Sequence, residues 1–323
     1  MKNACLRASI ALLLGVAATA QDVPVVLQVD VENQVRYGGV ADPAQIATSP
    51  VPVASSITQL NFNRPIVIGD VSAVNGSPAK GAWVSLENNV RLTPTPTVPI
   101  PGGAISDAMF ASVGIHSLDF LKPNGERIGS IFAMGFPPPG QPGPGGAIVG
   151  GTGAFAGARG IMYTTAGITI RTTSQAEDPS MRRINGGGRA TYVFQLVPLF
   201  RPEVLVGQNG PVIIRSDYTA VTPDKPARPG EVLILYAKGL GPTTPAVNPG
   251  ERYPGAPFAV VNSPVEVLVN GRSSPAIYQI GLPGTTDTYH VAFRVPDDTA
   301  AGAATVLISV AWVTGSAVSI PVR

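Results

Sequence analysis

Histidine is scarce in this chain, which limits acid–base chemistry and metal binding. The 323 residues include two, His116 and His290. In "TYHVAFRV" His290 shares a strand face with Thr288 and Arg294, so we expect a solvated surface residue. His116 lies in "MFASVGIHSLDF", where both strand faces are apolar, so it faces either an interior or an interface. We expect a structural role for it.

The best remaining polar set is built on Arg159 and Tyr163, which share one strand face if side chains alternate along "GARGIMYT". A charge in an apolar interior needs a partner, so an inward Arg159 would meet a carboxylate or a ligand anion. His116, Asp119 and Glu87 could join it from across the interior. These five are the candidate ligand-binding residues. The alternative, which we rank above catalysis, is an Arg159 that fixes the end of a barrel through loop carbonyls.

Motifs for other chemistries are missing from the sequence. It has no His-x-x-x-His, cysteine pair or EF-hand series, so neither a metal nor a cofactor is expected. Without a G-x-S-x-G, serine hydrolysis is poorly supported, and no catalytic residue is assigned. In "EDPSMRR" (177–183) we expect a solvated loop whose charges pair with one another.

The run "GGAIVGGTGAFAGARG" (145–160) looks at first like a phosphate-binding loop. Position 156 is Ala, so G-x-G-x-x-G fails after Gly151 and Gly153, and no Lys-Ser or Lys-Thr pair follows. The continuation is β-rich where a phosphate loop needs a helix. The run instead predicts a strand from 154 to 165, with Phe155, Arg159 and Tyr163 on one face.

Composition and the first residues predict an exported protein. Lys2 and Arg7, an apolar run and Ala18-Thr19-Ala20 form a signal peptide (1–20). The mature chain then lacks Cys5 and is cysteine-free, which excludes disulfides and thiolate sites. Its 20 basic and 20 acidic residues argue against nucleic-acid binding, and no segment is long enough for a membrane span. We expect a secreted or cell-surface protein.

Short runs rich in Val, Ile and Thr between Pro, Gly and Asn predict an all-β chain. Eight runs in the first part can close an antiparallel β-barrel, which leaves no exposed edge. They span residues 25–31, 66–74, 82–92, 108–121, 127–136, 147–149, 154–165 and 190–197. Two proline-rich segments, 93–103 and 136–146, are expected to be extended connections or lids over the barrel mouth.

A second unit begins after "VPLFRPE" (197–203), where prolines interrupt the strand pattern. Asn270-Gly271 is the signal for a two-residue hairpin with a primed turn. About seven short strands predict an immunoglobulin-like β-sandwich. They span residues 212–215, 231–239, 265–271, 276–281, 288–296, 305–312 and 317–322.

The first unit resembles bacterial members of the dirigent and allene-oxide-cyclase barrel superfamily. The resemblance covers about residues 65–198 and is carried by "AIVGGTGAFAGARG" (147–160), "DFLKPNGERIGSIFAMGF" (119–136) and "AEDPSMRRINGGGRATYVFQLVP" (176–198). It implies an eight-stranded barrel, often trimeric, with an apolar cavity that in plant relatives binds phenolic radicals or a fatty-acid epoxide. The acidic patch of plant dirigent proteins has no counterpart in "RLTPTPT" (91–97).

The second unit resembles a carboxy-terminal domain of many secreted bacterial proteins, similar to the IPT/TIG immunoglobulin-like fold. The segments that carry the resemblance are "KPARPGEVLILYAKGLGPTTPAVNPGE" (225–251) and residues 263–310. It implies attachment or surface presentation. The expected organisation is a signal peptide (1–20), a barrel domain (21–198) and an immunoglobulin-like domain (199–323).

Two functions remain. The first is a secreted non-enzymatic protein whose barrel binds a small apolar or phenolic molecule or packs into a homo-oligomer, while the C-terminal domain meets a cell-surface partner. The second is an isomerase or coupling-guidance protein that limits the geometry of a reactive intermediate. We favour the first, because fold resemblance does not carry chemistry.

Overall fold

The computed structural model describes residues 24–37, 61–63, 66–91, 110–135, 144–173, 177–198, 201–248 and 250–323. Within these ranges the protein is all-β, as predicted. The signal peptide, Cys5, residues 93–103 and most of the 136–146 segment lie outside the described residues. Among the described residues no helix is both long and apolar enough to cross a membrane.

The first ten strands belong to one sheet that closes on itself. They are β1 (Val25–Tyr37), β2 (Asn61–Asn63), β3 (Ile66–Val74), β4 (Ser77–Arg91), β5 (Phe110–Leu121), β6 (Arg127–Gly135), β7 (Gly146–Gly153), β8 (Arg159–Thr164), β9 (Arg171–Thr173) and β10 (Gly188–Val197). Eight of them run antiparallel in the order β10-β8-β7-β6-β5-β4-β3-β1, and β1 pairs back with β10. The predicted eight-stranded barrel is confirmed. β2 pairs with β4, and β9 runs parallel to β1 outside this ring.

Side chains along each barrel strand alternate between the interior and the outside of the barrel. On β5, Leu118 and Phe120 are fully buried inside the barrel, whereas Ile115 on the opposite face is exposed. Asn75-Gly76 joins β3 to β4 with positive φ at both residues, as a primed two-residue turn requires. A bulge at Asn33 (φ 51°) lets β1 continue six residues beyond the predicted end at Val31.

The predicted continuous strand from 154 to 165 is wrong in its first half. Residues 154–157 form a turn between β7 and β8, with hydrogen bonds from Phe155 N to Thr152 O (3.1 Å) and from Ala158 N to Phe155 O (3.0 Å). The reversal breaks the alternation, so Phe155 is buried in the core while Arg159 is exposed. The two residues do not share a face.

The second unit contains the remaining fourteen strands. They are β11 (Glu203–Val204), β12 (Val206–Gly207), β13 (Gly210–Pro211), β14 (Ile213–Ile214), β15 (Val232–Lys238), β16 (Thr243–Thr244), β17 (Val260–Val261), β18 (Val265–Val269), β19 (Arg272–Pro275), β20 (Tyr278–Gly281), β21 (Tyr289–Arg294), β22 (Gly302–Val310), β23 (Val313–Thr314) and β24 (Val318–Val322). They make a seven-stranded and a five-stranded antiparallel sheet, both open, and a two-stranded ribbon. Asn270-Gly271 forms the predicted hairpin turn between β18 and β19, again with positive φ at both residues.

The two units meet at the end of the barrel that is closed by short turns. Phe120, on the inner face of β5, lies 5.0 Å from Trp312 between ring centroids. Asn262 Nδ2 donates to Arg127 O (3.3 Å), and Lys122 Nζ donates to Asn262 Oδ1 (3.5 Å). The barrel core therefore continues into the second unit at this end.

Candidate functional site

The five predicted residues do not come together. Arg159 is exposed on the outer face of β8, and Tyr163, four residues along on the same face, accepts a hydrogen bond from Gln195 Nε2 (3.2 Å). Asp119 lies on the outer face of β5, where Ser130 Oγ donates to its carboxylate and Arg127 Nε lies 3.5 Å away. The condition that Arg159 and Asp119 point inward is not met.

The other two predicted residues lie on neighbouring strands. Glu87 occupies the register position opposite Gly114, on β4, and its side chain lies outside the described part. His116 is 2% exposed and faces the barrel interior. Gly114 makes room for it, since a Cβ at that position would lie 2.3 Å from His116 Nε2.

His116 is held by a serine on the adjacent strand. Its Nδ1 lies 2.9 Å from Ser85 Oγ, and both side chains are buried. Burial lowers the pKa of His116 to about 4, and an interaction with the backbone of Gly145 acts in the opposite direction. The imidazole is therefore neutral at ordinary pH. A base with so low a pKa offers little driving force for removing a hydroxyl proton.

An aromatic stack extends from His116 across the interior. The His116 and Trp83 rings are 5.3 Å apart at 15°, and the Trp83 and Tyr192 rings are 4.0 Å apart at 29°. Gln34 Nε2 donates to Tyr192 Oη from the β1 side. The stack therefore spans β5, β4, β10 and β1, which only a closed barrel brings together.

Three side-chain atoms of this set have no hydrogen-bond partner among the described residues. They are Trp83 Nε1, which is a donor, Gln34 Oε1, which is an acceptor, and His116 Nε2, whose role depends on the tautomer. A buried polar group without a partner costs about 1–3 kcal/mol, so such groups in a native protein point to a bound molecule or ordered water. We call Gln34, Trp83, Ser85, His116 and Tyr192 the interior polar cluster.

A cation also belongs to the inner face near this cluster. Arg36 pairs with Val67, which is buried in the barrel core, and residues directly opposite on antiparallel strands share a face. Arg159, rather than Arg36, was the residue predicted as a possible interior cation. Arg36 was not predicted there because the bulge at Asn33 shifts the register after the predicted end of β1.

The predicted ion pairs within 177–183 are also wrong. Arg183 binds Asp70 on β3 (Nη2 to Oδ1, 2.7 Å), as does the buried Arg182, while Glu177 binds Arg171. Hydrogen bonds from Arg183 and Arg182 hold the pKa of Asp70 below its usual value against the effect of burial. These ion pairs hold β9 and the 3-10 helix Pro179–Arg183 against the outside of the barrel. We therefore assign them a structural role.

His290 differs from its prediction as well. Its ring is half-buried and packs edge-on against Tyr236, with centroids 4.3 Å apart. Burial lowers the pKa of His290. Within the described ranges no group of three or more His, Cys, Asp or Glu residues is placed to hold a metal ion.

The comparisons with known proteins leave the geometry as the main guide to function. No family model, curated protein or solved structure matches the chain.

Proposed function

We propose that the protein is a secreted binding protein whose barrel holds a small, largely apolar molecule with a hydroxyl group, such as a phenol. An immunoglobulin-like C-terminal domain presents the barrel outside the cell. The observation that carries this proposal is that the interior polar cluster has unpartnered atoms of both kinds, among them the donor Trp83 Nε1 and the acceptor Gln34 Oε1. A hydroxyl group can accept from the first and donate to the second.

The distribution of interior side chains gives such a ligand one direction of approach. The barrel end that faces the second unit is filled by buried apolar side chains, among them Leu118, Phe120, Phe155 and Leu196. The interior polar cluster lies towards the opposite end, where β1, β4 and β6 end. A ligand would enter there and place its hydroxyl against Gln34, with its ring beside the stack.

The chemistry of His116 favours binding over conversion. Its low pKa suits a neutral hydrogen-bonding group rather than a general base. The alternative, a cyclase-like or coupling-guidance protein, would need the interior to orient a reactive intermediate. Appearance of a new compound from a bound substrate would support that alternative.

The resemblance to dirigent and allene-oxide-cyclase barrels and to IPT/TIG domains supports the same proposal. The closed eight-stranded barrel agrees with the first likeness. Two open antiparallel sheets that share one hydrophobic core agree with the second. The signal peptide predicted at residues 1–20 supports a location outside the cell.

Calorimetric titration of the mature protein with 4-propylphenol, and with propylbenzene as the analogue without a hydroxyl, tests the proposal. We expect the phenol to bind more tightly. Gln34→Leu removes the acceptor and should weaken phenol binding about tenfold, which corresponds to about 1.4 kcal/mol. Propylbenzene binding should change little.

Two variants on the outer barrel face serve as controls. Gln195→Leu makes the same replacement at a half-buried glutamine that bonds Tyr163 on the outside, and Arg159→Ala removes the exposed cation. Both should bind the phenol as the wild type does. No binding of the phenol, or equal losses in Gln34→Leu and Gln195→Leu, would contradict the interior site.

A further inference from the structure

A cleft of about 520 Å³ lies between the barrel and the second unit, away from the interior polar cluster. One wall is the turn at residues 153–156, and the other is the segment 239–242 of "LYAKGLGP". Each wall belongs to a glycine-rich run, one in the barrel (145–160) and one in the second unit (239–241). In the fold they face one another, and the cleft is large enough for a small organic ligand.

The floor of the cleft is aromatic and rigid. Tyr253 and Tyr289 line it, with ring centroids 5.2 Å apart. Tyr289 Oη donates to Gly241 O (2.8 Å). The Tyr253 ring lies on Gly281, where a Cβ would come within 2.4 Å of it. The two rings are therefore fixed before any ligand arrives, which lowers the entropic cost of binding.

The residues that form the walls of the cleft have small side chains or none. Ala154 and Ala156 line the barrel side, and Gly239 and Gly241 line the other. Both of these glycines have positive φ (70° and 85°), a conformation that side chains rarely adopt. The backbone turns that form this wall therefore favour glycine, and the cleft stays open.

One carboxylate is the only acidic or basic side chain among the described residues that line the cleft. Asp287 lies at the rim with its side chain exposed, and Gly239 N donates to its Oδ1 (3.3 Å). Desolvation raises the pKa of Asp287, while the bond from Gly239 and the charge of Lys238 act against this effect. An aromatic floor beside a single carboxylate favours a cation, because ring faces and carboxylates both attract positive charge.

We propose that this cleft is a second binding site, which takes a small organic amine with an aromatic or apolar body. The body packs on Tyr253 and Tyr289, and the ammonium group pairs with Asp287. Anions are disfavoured by the same carboxylate. This site does not depend on the barrel interior.

Saturation-transfer NMR and calorimetry with 2-phenylethylamine test the proposal on the full mature chain. The matched analogues are 2-phenylethanol, which is neutral, and phenylacetate, which is an anion. We expect the amine to bind at least tenfold more tightly than the alcohol and phenylacetate not to bind. Asp287→Asn should remove this preference for the amine, and Ala156→Phe should block both the amine and the alcohol by filling the cleft.

Asp224→Asn is the matched charge control, because Asp224 is exposed on the second unit and does not line the cleft. It should bind the amine normally, as should Gln34→Leu, which separates this site from the barrel interior. Equal binding of the amine and the alcohol, an Asp287→Asn variant that keeps the amine preference, or absence of amine binding would each overturn the proposal.

Discussion

At the scale of single residues, His116 shows how neighbours set the chemistry of a side chain. Gly114 leaves space for the ring, Ser85 binds its Nδ1, and Trp83 stacks on it. The sequence could predict a buried position, because the run around His116 is apolar on both faces. It could not predict the partners, because Ser85 and Trp83 belong to another strand.

The lowered pKa of His116 predicts a specific loss of stability in mild acid. The unfolded chain binds a proton at this residue below its ordinary pKa of about 6.5, whereas the folded protein does so only near pH 4. The free energy of unfolding should therefore fall as pH decreases from about 6.5 to 4, by up to about 3 kcal/mol from this group. Urea unfolding of His116→Phe across this range should show a flatter pH dependence.

His290→Phe is the control, since burial lowers the pKa of His290 too but its ring is only half-buried. It should flatten the curve less than His116→Phe. The ion pairs of Asp70 affect stability in a lower pH range. Because the pKa of Asp70 is lowered in the folded protein, its contribution to the free energy of unfolding is lost only as pH falls below the ordinary pKa of an aspartate. An unchanged pH dependence in His116→Phe would show that the ring is not buried as described.

At the scale of elements, the glycine-rich run is a strand, a turn and a strand rather than a single strand. Gly153 and Gly157 have positive φ at the ends of the turn, and Gly160 (φ 143°) pairs with Leu196 of β10. The sequence predicted the β character and the absence of a phosphate loop. It could not locate the reversal, because Phe155 and Ala158 fit an alternating pattern as well as they fit the turn.

Gly160 should be the least replaceable of these glycines. A Cβ there would lie 1.9 Å from Gln195 O, and its φ is unfavourable for other residues. Gly160→Ala should lower the free energy of unfolding by about 3 kcal/mol or more, measured by urea unfolding. At Gly150 a Cβ would meet open space, so Gly150→Ala should cost less than about 1 kcal/mol. Similar losses in both variants would contradict the described register.

β1 shows where prediction from alternating apolar and polar residues fails. Its first half was placed correctly, since Leu27, Val29 and Val31 alternate as a half-buried strand should. The bulge at Asn33 then moves Gln34 and Arg36 to the inner face. A one-residue shift reverses which side chains face inward, and the sequence contains no strong signal for it. Gln34 was missed for this reason, whereas Trp83, Ser85 and Tyr192 lie on strands that the sequence did predict.

At the scale of the whole molecule, the outer barrel face carries a row of apolar side chains. Leu86, Ile115 and Met134 are directly paired on β4, β5 and β6, and the row continues through Ala147 to Ile161. Apart from Ala147, each is an exposed large apolar side chain. Contiguous exposed apolar surface is typical of a protein–protein interface, so we propose that the barrel forms a homo-oligomer through this row.

Sedimentation velocity tests this inference. The wild type should sediment as an oligomer, and Met134→Lys, which puts a charge in the middle of the row, should sediment as a monomer. Ile184→Lys is the control, because Ile184 is an exposed aliphatic residue outside the row. A monomeric wild type, or dissociation by Ile184→Lys alone, would contradict the interface.

The central claim, that a hydroxyl-bearing apolar molecule binds beside Trp83, is tested most directly by the fluorescence of that residue. The chain has two tryptophans, so Trp312→Phe leaves Trp83 as the only one. Addition of 4-propylphenol should change the emission of this variant in a saturable way, whereas Trp83→Phe, which reports from Trp312 alone, should show no saturable change. A saturable signal from Trp312 alone, or none from Trp83, would contradict the account.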